Sequence, residues 1–307
     1  MARTSVLAAS DVGAEPLARS RGQPPWLRQT IAFVVIVLAL VAAWEGYKVL
    51  GAATGDRIPG LGLRLPVRSN DSSMPHTWDI VGALLRPARR GGEDILLVIL
   101  ARSALFTWRE AAVGFALGSL VGFALGVVFV QSSLLERGLM PYVVASQTVP
   151  LLAIAPMVVI WGSQLQWPAW ASVTIISAYL TFFPVTINTL RGLRSPDPTA
   201  LELMRSYAAS EWQVLWKLRF PAALPYIFTA LKVSATVSVI GAIVGELHSG
   251  IGDGLGRALL TFSYYYISGP EKLYASILGA AVLGVVFVGV VTAVERWVVP
   301  ARRRLAE

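Results

Sequence analysis

Few side chains in this chain are equipped for chemistry. Its 307 residues contain no cysteine, which removes disulfides, thiolate metal sites and thiol nucleophiles. His76 and His248 stand alone, without the spacing of a metal-binding set, so no metal is expected. No G-x-x-x-x-G-K-[ST] phosphate loop and no H-E-x-x-H pair occurs, and neither an intramembrane acid pair nor a nucleophile with its base stands out. What remains is a handful of charges within or beside apolar runs: Glu45 and Lys48, Lys232, and Glu246. Lys232 either snorkels, pairs internally or meets an anionic solute. Glu246 precedes His248 and the run GIGDGLG. There it is a gate or a helix-end anchor, and the glycines either reach a pathway or a docked protein or form a plain flexible loop.

The one sustained polar island is Pro198 to Pro225, charged and helix-prone between long apolar runs. Thr199 with Glu202, and Ser210 with Gln213, read as two capping boxes. They predict a helix from about Ala200, a turn near Ala208, and a second helix from Glu211 ended by Pro221. Trp212 and Trp216 fall on one face of that second helix, with Leu215 and Leu218 adjoining. Such a hairpin either docks into a partner's groove or lies on lipid headgroups.

The elements around it are membrane spans. The chain is 55% hydrophobic and 14% charged, with a mean hydropathy of +0.62, against about 25% charged residues in soluble domains. The net charge of +8 comes from arginines flanking apolar runs, the pattern of membrane anchoring, and nucleic acid is not an expected partner. A span needs about 20 apolar residues. Residues 1–29 read as a disordered cytoplasmic tail and 30–50 as the first span. Residues 51–109 form an outer loop in which DIVGALL and DILLVILARSALF suit interfacial helices. Five further spans lie within 110–298: Ala111 to Val130, Leu139 to Trp161, Ala169 to Leu190, Ala223 to Gly245 and Leu273 to Val294. A basic tail, 299–307, follows. The fold class is an all-α integral membrane protein with six transmembrane helices.

Gly114, Gly118, Gly122 and Gly126 recur every fourth residue and predict close approach of another helix. Pro150 and Pro156 in the third span, and Pro184 with Asn188 in the fourth, free backbone carbonyls that only protein or a water-filled path can satisfy, which favours helices lining a pathway. Six spans put both termini on one side. The arginines of the N-terminal tail, of the segment from Arg191 to Arg219 and of the C-terminal tail make that side cytoplasmic, while the turn from Gly162 to Pro168 carries no charge.

The polar island resembles the EAA loop of permease subunits of ATP-binding-cassette importers. Glu202 fills the acid position, Ala208 stands where the pattern has glycine, Leu218 takes the isoleucine place, and Phe220-Pro221 closes it; the loop spans 195–221. Leu203 and Met204 replace the two alanines. A literal Glu110-Ala111-Ala112 occurs elsewhere, but its following glycine comes too soon and its proline is missing, so that match reads as chance. The Pro221-Ala-Ala-Leu-Pro225 run, Gly245-Glu246, the glycines at 250, 252, 254 and 256, and the phrases from Val149 to Gly162 and Phe183 to Asn188 resemble one branch of that family. It comprises permeases for nitrate, bicarbonate, taurine, alkanesulfonates, riboflavin and thiamine-precursor pyrimidines.

The resemblance implies a plasma-membrane permease subunit, not an enzyme. It is paired with itself or a second permease, takes two ATPase subunits that bind ATP and magnesium, and receives solute from an extracytoplasmic binding protein. Glu202, Tyr207, Ala208, Ser210, Trp212 and Pro221 are then the ATPase-coupling residues. Pro150, Pro156, Pro184, Asn188, Lys232 and Glu246 are candidates for the translocation pathway or gate. The solute is a small organic or anionic one of the sulfonate, nitrate or riboflavin/pyrimidine type. Trp167, Trp170 and the Tyr264 to Tyr266 run suit a planar ring or interfacial anchoring equally. The alternative is a gradient-driven transporter or channel, which calls for paired intramembrane acids or inverted repeats.

Overall fold

Apolar segments that leave water must satisfy their backbone groups internally, and helices do this within one segment. The computed structural model describes residues 25–57, 63–88 and 92–299, and every regular element among them is helical. The expected tails therefore lie outside the description, apart from residues 25–29, which open the first helix, and Val299. The chain divides into two compact units, 1–65 and 66–307. The first holds α1 (Pro25–Thr54), whose stretch Thr30–Thr54 is long and apolar enough to cross a membrane.

The second unit begins with α2 (Thr77–Leu84), followed by α3 (Leu96–Gln131). The DILLVILARSALF segment expected to lie at the interface is instead, from Leu96 onward, the start of α3. No proline or glycine interrupts 96–113, so the helix propagates unbroken into the glycine stripe. Each of those four glycines is buried against α6 (Ala169–Leu193). A Cβ at Gly118 would lie 2.7 Å from that of Thr181, and one at Gly122 would lie 2.8 Å from that of Val185. Gly114 faces Ser177 and Gly126 faces Thr189 in the same way. Both helices advance together by four residues at each contact, so α3 and α6 run parallel.

Between them, the expected third span is broken. α4 (Ser133–Ser146) and α5 (Leu151–Gln164) meet at 97°. The cause is Pro150, which has no N–H to offer the Ser146 carbonyl four residues back and sits in an extended conformation (φ −63°, ψ 119°). The Tyr179 hydroxyl of α6 donates to that carbonyl in its place. Because α3 and α6 point the same way, the α4–α5 segment must carry the chain back across. It is a broken span, not a re-entrant loop, and the spans number six by length and composition among the described residues.

α7 (Pro198–Ser206) and α8 (Glu211–Val214) follow α6. A π turn, Leu215–Arg219, then joins α8 to α9 (Phe220–Ser249) without a break. Pro221 therefore does not end the second hairpin helix. The widened turn, closed by the Phe220 N–H on the Leu215 carbonyl, makes room for a proline at the start of α9. α9 runs antiparallel to α6: Ser177 Oγ donates to the Ser238 carbonyl at 2.6 Å and Ser234 Oγ to the Thr181 carbonyl at 3.3 Å. α10 (Leu255–Tyr264) and α11 (Pro270–Val298) complete the unit. Its core is the contact zone of α3, α9, α10 and α11, with Leu96, Leu100, Phe228, Val239, Leu255, Leu283 and Phe287 buried together and Val173 of α6 among them.

Candidate functional site

Two places at opposite ends of the α3–α6–α9 bundle combine unusual residues with defined geometry. At the end where α6 gives way to α7 is the hairpin. Its first cap is Asp197, whose carboxylate accepts the Thr199 N–H at 2.7 Å. The Thr199–Glu202 box expected from the sequence does not form, because Pro198 takes the first helical position and the cap falls two residues earlier, at Asp197. Glu202 is left exposed. The second box forms as expected: Ser210 Oγ accepts the Gln213 N–H and Gln213 accepts the Ser210 N–H.

The turn between the helices is a Schellman motif, with the Ala209 N–H on the Met204 carbonyl at 3.0 Å and the Ala208 N–H on the Arg205 carbonyl at 2.9 Å. That motif needs a left-handed residue, and Ala208 supplies it at φ +52°. A β-carbon there costs about 1 kcal/mol or more relative to glycine. Leu203, Tyr207, Trp212 and Trp216 form the exposed apolar face of the hairpin. Leu215, expected on that face, turns inward against Leu193, Ala223 and Ile227. The aromatic rings continue inward as a ladder. Trp212 meets Trp216 with centroids 5.5 Å apart, Trp216 meets Phe220 at 5.1 Å, and Phe220 meets Phe123 of α3 at 5.9 Å. On the same side the Arg194 guanidinium forks onto the Glu136 carboxylate, tying α6 to α4.

At the far end, Glu246 is fully buried, with Gly254 and Gly256 against it. The Gly256 N–H donates to Oε2 and the Thr107 hydroxyl to Oε1, both at 2.6 Å, while the Leu255 N–H donates to Thr107 Oγ1 at 2.8 Å. The carboxylate and the threonine thus cap the N-terminus of α10, where the helix dipole favours negative charge. Gly254 (φ +99°) lies so close to the carboxyl that a Cβ would overlap it, and Gly256 leaves space for the Glu246 side chain. Glu246 thus holds the N-terminal end of α10, with Gly254 and Gly256 fitted against it, while Gly250 and Gly252 face open space.

Beside Glu246 lies Glu110, 2% exposed. The sequence reading missed it by drawing the span from Ala111, one residue too late, and so found no intramembrane acid pair. The structure has a buried one. A lone acid inside the apolar 96–131 run was the available signal.

The remaining pathway candidates are not brought together. Pro150 makes the α4–α5 break, Pro156 lies inside α5 and Pro184 inside α6. Asn188 donates to the Pro184 carbonyl at 2.8 Å, so it satisfies its own helix. Lys232 pairs with both oxygens of Glu295 on α11 at 3.2 Å, which is the internal pairing among the readings offered. It is separated from Glu246 by about 21 Å of helix.

Residues 114–304 match the family described as binding-protein-dependent transport system inner membrane component. The formylaminopyrimidine transport permease protein ThiX of Halalkalibacterium halodurans is 32% identical over 213 residues, 67% of this chain and 81% of that protein. The nitrate import permease protein NrtB of Synechocystis sp. is 26% identical over 282 residues, 92% of each. Among solved structures, the inward-facing MetNI methionine ABC transporter covers 66% of this chain and 98% of its own matched chain at 17% identity, with a TM-score of 0.55. At that identity the likeness is one of fold.

Proposed function

Because this chain belongs to the binding-protein-dependent transport system inner membrane component family, and is thus a multi-pass permease subunit of an ABC importer, we propose that the α7–α8 hairpin is its lever. A separate ATPase grips the hairpin, and closure of that ATPase alternates access to a pathway between two permeases. The observation that carries this reading is continuity. α8, the π turn and α9 form one helical rod, and the Trp212–Trp216–Phe220–Phe123 ladder ties the exposed end of the rod to α3. A displacement applied outside the membrane is thereby passed to two spans at once. Leu203, Tyr207 and Trp212 give the grip its apolar area, and exposed Glu202 gives it a charge to pair.

The hairpin side is cytoplasmic. Arg137, Arg191, Arg194, Arg205, Lys217, Arg219 and Arg296 lie on that side in or beside short connections, where the positive-inside rule applies, whereas Arg86, Arg102 and Arg109 on the other side belong to the long 51–109 segment, where it loses force. The opposite mouth, with α10, receives solute from an external binding protein. ATP and magnesium stay with the ATPase.

The solute is small and organic or anionic. The ThiX relative supports a pyrimidine-type ring and the NrtB relative a small anion. Lys232 no longer argues for an anion, since Glu295 neutralises it. Purified with its partners, the Glu202→Arg variant is expected to assemble normally and to lose solute-stimulated ATPase activity. Undiminished stimulation would refute the lever. The solute is identified by the compound that raises the melting temperature of the co-encoded binding protein.

A further inference from the structure

The Glu110–Glu246 pair has no role in the lever, yet it is the most heavily buried polar cluster on the α10 side. Glu246 is well supplied with donors, the Thr107 hydroxyl and the Gly256 N–H, each at 2.6 Å. Glu110 has none: neither of its carboxyl oxygens is reached by an N–H or O–H, although the side chain is buried. What lies against it is the carboxyl of Glu246. Arg109 on α3 is the other charge acting on it, and its guanidinium lies 5.8 Å from the Trp170 ring centroid. From α10 the Gly256 N–H reaches Glu246 and the Leu255 N–H reaches Thr107, and α6 contributes Val173, packed against Gly245.

Two carboxylates that only accept hydrogen bonds cannot sit together in a dry interior unless something is held between them. We propose that Glu110 and Glu246 form a proton-binding site, in which Glu110 is a carboxylic acid donating its proton to the carboxylate of Glu246. The donors decide which acid is neutral. Glu246 accepts two strong hydrogen bonds and carries the charge, while Glu110 lacks any donor and carries the proton. A metal ion fits less well, because no group of three potential metal-binding side chains occurs among the described residues. The bound proton joins α3 to α9 at the point where α9 holds the N-terminus of α10, so it clamps the three helices together.

The test uses the full chain in lipid nanodiscs with its ATPase. The infrared spectrum of the wild type minus that of Glu110→Gln should contain one carbonyl band of a protonated carboxyl. A spin label on Ser263→Cys, introduced without background because the chain has no cysteine, reports the mobility of α10. Glutamine mimics the neutral acid, so Glu110→Gln should leave the label as immobile as in the wild type. Glu246→Gln, which removes the charged cap, should mobilise it at least severalfold. Absence of the protonated band overturns the proposal. So does equal mobilisation by both variants, and so does a label mobility that depends on sodium or potassium in the wild type. None of these readouts depends on coupling by the hairpin, so the proton site and the lever fail independently.

Discussion

The two ends of the α3–α6–α9 bundle solve opposite problems. At the α10 end, charge is buried and the chain is shaped around it: glycines give way to the Glu246 carboxyl, and Thr107 and two backbone N–H groups complete the cap. At the hairpin end, apolar surface is exposed and the chain is shaped to keep it rigid. A capping box, a Schellman turn and a ladder of rings hold Trp212 and Trp216 in place with no cover of their own. A buried polar cluster specifies one local arrangement, because an unsatisfied group there is costly. A rigid exposed apolar face is arranged for a partner.

Substitutions sharpen this contrast in decreasing order of effect. Gly254→Val places a branched side chain where the Glu246 carboxyl sits. It should cost more than about 3 kcal/mol, the scale of breaking a buried, hydrogen-bonded charge, and the folded yield in detergent should collapse. Trp216→Ala removes the second of the four rings of the ladder. The protein should remain folded and bind its ATPase, yet solute-stimulated hydrolysis should fall by about tenfold, as expected if roughly 1.4 kcal/mol of coupling is lost. If the two effects were exchanged, with the alanine unfolding the chain and the valine merely slowing turnover, the division of labour between the ends would be wrong. Tyr179→Phe leaves the Ser146 carbonyl unsatisfied at the α4–α5 break and should lower stability by about 1–3 kcal/mol, measured by thermal unfolding in detergent. Ala208→Gly, the smallest change, relieves the left-handed alanine and should raise stability by about 1 kcal/mol or leave it level.

What was legible in the sequence was whatever depends on local pattern. Long apolar runs became spans, the four-residue glycine spacing became the α3–α6 seam, and Ser210 with Gln213 became a capping box. What was hidden depends on distant partners or on which of two local options wins. Asp197 displaced Thr199 as cap because Pro198 fits the first helical position. Pro150 bent a span that its composition alone would have left straight, and Pro221 was absorbed where it would ordinarily stop a helix. Glu110 was invisible as a partner because Glu246 lies far along the chain, and a span boundary placed one residue late hid the acid as well. In the hairpin, the turn expected near Ala208 from the flanking caps forms there with a left-handed residue, but the inward turn of Leu215 needed the packing of α6 and α9 to be seen.

The π turn at Leu215–Arg219 has a consequence for how rotation passes along the rod. A turn that closes five residues back holds one residue more than an α-helical turn, which is a phase slip of about 100°. The face of α8 that carries Trp212 is therefore indexed to a different face of α9 than a regular helix would give it. Deleting one residue from the turn would leave both halves chemically intact while turning the hairpin to another side of α9, so the heading of Trp212 is written in a residue count.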